Sequence, residues 1–78
     1  MTPLVEALQS LGLEAHIDLS GCWACLQGER CVVYVIEAPW SAGFFTWCDD
    51  PQERAVERYL DPTEAIRAGL RRAARRGS

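Results

Sequence analysis

The stretch from Leu13 to Ile36 constrains this chain most, because it holds three runs of strand-forming residues separated by two short glycine turns, with almost no slack between them. The first run, Glu14-Ala15-His16-Ile17-Asp18-Leu19, alternates polar and apolar residues, the two-residue period of a strand with one face buried. Ser20-Gly21 and Gly28-Glu29 carry turn chemistry, since glycine reaches the positive backbone angles that twist-matched hairpin turns require. Two-residue turns at both places predict a register. Across the first hairpin, Leu19 opposes Cys22, Ile17 opposes Ala24 and Ala15 opposes Leu26. Across the second, Leu26 opposes Cys31, Ala24 opposes Val33 and Cys22 opposes Val35. All of these are apolar or cysteine, so they define a core face, and Ile17, Val33 and, from the last helix, Leu70 are expected to be deeply buried. Glu14, His16, Asp18, Trp23, Cys25, Gln27, Arg30, Val32, Tyr34 and Ile36 fall on the reverse face.

Helices flank this meander. Thr2-Pro3 starts one, threonine capping and proline preset for the first turn, and Leu4, Leu8 and Leu11 mark its apolar stripe. Gly12 and Leu13 end it. The loop from Ala38 to Gly43 interrupts the strand pattern, and Phe44-Phe45-Thr46-Trp47-Cys48 resumes it as a fourth strand. Asp49-Asp50-Pro51 reads as a turn, after which Ala55 to Leu60 is expected as a fifth, edge strand, with a short helix as the alternative. Asp61-Pro62-Thr63-Glu64 opens a second helix whose stripe carries Ile66, Leu70 and Ala73/Ala74, with the arginines placed elsewhere. Gly69 near that stripe predicts close approach to the sheet. The expected architecture is α+β: an N-terminal helix, an antiparallel meander of four or five strands and a C-terminal helix, both helices on one face of the sheet.

Seventy-eight residues make a single small domain, 1–78, with the last few residues expected to be disordered. A domain of this size buries only about 60 to 65% of its extended surface, so oligomerisation is a natural route to stability. No run of about 18 apolar residues and no basic leader followed by an apolar segment is present, so the expectation is a cytoplasmic protein with no membrane contact. All eight basic residues are arginine, with no lysine and no asparagine, which we read as the base composition of a bacterial-type genome. From Pro62 onward five arginines face one glutamate, a net charge of +4, leaving −7 for the body.

Four cysteines invite a zinc reading, and Cys22-x2-Cys25 has ligand spacing. In a strand, however, residues three apart point to opposite faces, so Cys22 and Cys31 face the core and Cys25 does not. The expectation is no metal and no cofactor, with the thiols behaving as ordinary buried side chains. A helix-opening redox pair is not encoded either. His16 lies beside Cys25 with Asp18 on the same face, the skeleton of a thiol nucleophile, yet no oxyanion hole or cleft accompanies it, so no catalytic residue and no enzymatic activity are expected.

Trp23 and Tyr34 sit on a face that a one-layer sheet should keep polar, and Trp40 and Trp47 lie in adjoining segments. Aromatic residues on such a face anchor interfaces, so Trp23, Tyr34, Trp40 and Trp47 are the candidate contacts to a protein partner or to a second copy in a homodimer. The alternative is nucleic-acid binding through Arg67, Arg71, Arg72, Arg75 and Arg76 of the last helix. The helix, three strands, helix order is similar to the double-stranded-RNA-binding layout. That layout grips phosphate with lysines opening its last helix, where this chain has Asp61 and Glu64, and a pI near 5.0 also disfavours non-specific nucleic-acid binding. A non-enzymatic interaction or regulatory module is therefore the first reading.

Overall fold

The computed structural model describes residues 2–39, 42–52 and 54–74. Helix α1 (Pro3–Ser10) starts where its cap predicts: Thr2 Oγ1 accepts from the Val5 N–H at 3.2 Å and donates to the Gly21 carbonyl at 2.6 Å, tying the helix start to the first hairpin. It ends in a double hydrogen-bonded glycine cap, Gly12 N–H to Gln9 O at 3.1 Å and Leu13 N–H to Leu8 O at 3.0 Å, with Gly12 at φ +68°. Helix α2 (Pro62–Ala74) starts at Asp61, whose Oδ1 accepts from the Thr63 N–H at 3.1 Å. Among the described residues no helix is long and apolar enough to cross a membrane.

Five strands, β1 (His16–Asp18), β2 (Trp23–Gln27), β3 (Val32–Glu37), β4 (Phe44–Cys48) and β5 (Glu57–Tyr59), form one antiparallel sheet in chain order. β5 settles the segment after Pro51 as strand, shorter than the Ala55–Leu60 span expected. The sheet places Ala24, Leu26, Val33, Val35, Phe44, Thr46 and Cys48 on one buried face. Helix α2 crosses β3 and β4 on that face and reaches β5, and α1 packs beside α2. Val33, Val35, Leu4, Ala65 and Ile66 form the centre of the core, with Val33 0% exposed. Gly69 makes the close approach possible: a Cβ there would lie 2.5 Å from both Thr46 Oγ1 and Val33 Cγ1. Within this layer Thr46 Oγ1 donates to Tyr34 O at 3.0 Å and Cys48 Sγ lies 3.4 Å from Gly69 O.

Four expectations are corrected. The second hairpin has a four-residue loop, so Leu26 pairs with Val33 and Ala24 with Val35, two residues out from the register expected with a Gly28-Glu29 turn. Because the slip is even, every side chain keeps its face. Its cause is tertiary: the Arg30 backbone N–H donates to Ala73 O at 3.1 Å and the side-chain Nε to the same carbonyl at 3.3 Å, so the loop is used to cap α2. At the first hairpin the pairing Ile17 with Ala24 is as expected, but Leu19 does not pair with Cys22. Leu19 and Ser20 take φ of +52° and +58° in a 3₁₀ turn spanning Leu19–Gly21, which swings Leu19 outward to 61% exposure. Ile17 is 38% exposed, because β1 is an edge strand and α1 packs against α2 rather than over it. Leu70 is half-buried against the core rather than deep within it.

Candidate protein-docking face

Alternation along the strands that buries Ala24, Val33 and Thr46 necessarily points Trp23, Cys25, Val32, Tyr34, Ile36, Phe45 and Trp47 to the other side, where all are half-buried by one another. The rings form a continuous ladder over four strands. His16 meets Trp23 edge-on at 6.2 Å between centroids, Trp23 meets Tyr34 tilted at 5.8 Å, and Tyr34 stacks on Trp47 at 5.3 Å with the planes 20° apart. Tyr34 opposes Trp47 directly in the β3–β4 register and Cys25 in the β2–β3 register. One row lower, Asp18, Trp23, Ile36, Phe45 and Arg58 stand in line across all five strands. That row is charged at its two ends and apolar between them.

Its ends are held locally. Asp18 Oδ1 accepts from the Leu19 N–H at 3.0 Å, and Oδ2 lies 4.0 Å from His16 Nε2. The Arg58 guanidinium donates to Ala42 O and covers Gly43, with the side chain otherwise exposed. Thus Trp23, Tyr34 and Trp47 are brought together as one surface, which parity could establish for Trp23 and Tyr34 but not for Trp47. Phe45, like Trp47, lies in a segment whose parity the sequence leaves open, and Arg58 is not among the candidate contacts read from sequence. Their signal is the register across β4 and β5, which depends on the length of the connection between them. Trp40 lies outside the described residues.

The arginines of α2 do not form one surface. Arg67 and Arg71 are exposed, whereas Arg72 is only 6% exposed and lies 3.7 Å from Glu57 Oε1, across from β5. A spacing signal existed, since Ala65, Ala68 and Arg72 recur at i, i+3, i+7 on the buried stripe. Glu57 also accepts from the Tyr59 hydroxyl at 2.9 Å, and this hydrogen bond, with burial, raises the Tyr59 pKa above the usual phenol value. Arg75 and Arg76, like the expected disorder of the last residues, lie outside the described residues.

The cysteines are dispersed: Cys48 in the core, Cys25 on the aromatic face, Cys31 in the second hairpin loop and Cys22 closing the 3₁₀ turn. Among the described residues no group of three or more His, Cys, Asp or Glu side chains converges on a common point. His16 lies edge-on to Trp23, and its Nε2 is 4.0 Å from Asp18 Oδ2. In comparisons with known proteins, no protein-family model, no curated protein and no solved structure matches this chain.

Proposed function

We propose that this protein is a non-enzymatic interaction module that docks a protein partner through the aromatic face of its sheet. One observation carries the reading: the Trp23–Tyr34–Trp47 ladder, with Ile36, Phe45 and Val32 around it, lies on the side of the sheet opposite both helices. Rigid aromatic rings with two side-chain torsions each give large contact area at low entropic cost, the usual make-up of binding hot spots. Four cysteines with no disulfide among them suit a reducing compartment, which supports a cytoplasmic location. Nucleic-acid binding through α2 is the weaker reading, because the net charge is −3 and Arg72 is engaged with Glu57.

Photo-crosslinking in the native host tests this. A benzophenone amino acid placed at Phe45 is expected to give adducts that resist nuclease and disappear with protease, and the same group at Arg67 on α2 is expected to give none. Adducts sensitive to nuclease, or adducts from Arg67 alone, would overturn the reading in favour of the arginine helix.

A further inference from the structure

The charged ends of the Asp18–Trp23–Ile36–Phe45–Arg58 row point to what covers it. We propose that the occupant is a second copy of this chain, packed sheet to sheet about a twofold axis that runs parallel to β3 and passes over Ile36. The proposal rests on the docking reading above and deepens it by naming the partner.

Symmetry and charge together choose the arrangement. A face-to-face pair of identical sheets with mean strand directions nearly aligned has two simple twofold axes in the plane between them. An axis along the row sets each residue against its own copy, so Asp18 meets Asp18 and Arg58 meets Arg58, and like charges directly opposed are destabilising. An axis parallel to the strands reverses the row. Asp18 in β1 then lies against Arg58 in β5 of the other copy, Trp23 against Phe45, and Ile36 against itself on the axis. In the neighbouring row the same operation sets Tyr34 against its own copy and the large Trp47 against the small Cys25, a match of size. Charge thus selects one of the two arrangements, and the apolar centre is enclosed by two oppositely charged pairs. This is the anatomy of an interface with an apolar core and a polar rim.

The size of the patch sets the expected strength. Four inter-strand gaps of about 4.8 Å make the sheet roughly 20 Å wide. With strands of three to six residues, that patch is in the size class of weak, transient interfaces, so dissociation in about the micromolar range is expected.

Sedimentation equilibrium of the purified full chain under reducing conditions provides the test. The wild type is expected to be a dimer at about 100 µM. Either Asp18→Arg or Arg58→Asp is expected to weaken dimerisation about fivefold to tenfold, and Asp18→Arg combined with Arg58→Asp to restore it. Because Asp18 also caps Leu19 and Arg58 also binds Ala42 O, a local defect would persist in the double variant. Recovery therefore reports the contact between copies. Ile36→Lys, which puts two ammonium groups together on the axis while leaving both charged ends intact, is expected to give a folded monomer by circular dichroism. A wild type that is monomeric at this concentration, a dimer unaffected by Ile36→Lys, or a double reversal no better than the single ones would each overturn the proposal. A monomer whose Phe45 crosslinks capture a different protein in the host overturns the second copy and leaves the docking reading standing, whereas the absence of protein adducts overturns both.

Discussion

Gly69 shows how much one missing methyl group decides. Helix α2 sits on β3 and β4 at a distance that leaves no space for a Cβ, the nearest atoms being the Thr46 hydroxyl and a Val33 methyl at 2.5 Å. Thr46 cannot rotate away freely, because its hydroxyl donates to Tyr34 O. Gly69→Ala should gain about 1 kcal/mol of helix propensity and lose more through overpacking, for a net destabilisation of about 1 to 2 kcal/mol by denaturant unfolding. Gly69 near the apolar stripe was legible in sequence as a point of close approach. Arg72 was not, although its spacing places it on the buried stripe, because an arginine there is tolerated only with a carboxylate opposite. That carboxylate, Glu57, comes from a three-residue edge strand whose position no local pattern fixes.

Among the elements, the loops decide more than the strands. The second hairpin loop and the turn after β4 are joined by Arg30, whose guanidinium reaches Asp50 Oδ2 at 2.8 Å while its Nε and backbone N–H cap α2 at Ala73. The Gln52 backbone N–H, donating to Asp50 Oδ1 at 2.9 Å, and then Arg30 hold the Asp50 carboxyl below its usual pKa. A carboxylate depressed in the folded state adds stability that is complete above its unfolded pKa and is lost as the pH falls through the folded value. Asp50→Asn, which keeps the acceptor for Gln52 and removes the charge, should therefore lower stability at neutral pH and flatten the acid limb of a melting-temperature profile. An acid limb of unchanged slope would mean that the pair contributes nothing. The loop length itself was not legible, since Gly28-Glu29 satisfies a two-residue turn equally well in isolation. The four-residue form wins because it delivers Arg30 to the end of α2.

For the whole molecule, the relation between size and stability gives the remaining prediction. A chain of 78 residues with a thin core and one aromatic face on solvent gains stability from anything that binds only the folded state. If that partner is a second copy, the melting temperature must rise with protein concentration, and Ile36→Lys must abolish the dependence. Concentration-independent melting of the wild type would count against self-association. The order of the two helices and the first four strands, the two helix caps and the division of the β2 and β3 residues between two faces were determined by sequence alone. Each depends on local periodicity or on hydrogen bonds within a few residues, and face assignment survives any even slip in register. What only the tertiary structure decided were the four-residue loop, the outward swing of Leu19, the exposure of Ile17 and the pairing of Arg72 with Glu57. Each of these depends on which element lies across from which, a choice made by long-range packing of α1 and α2 rather than by any pattern along the chain.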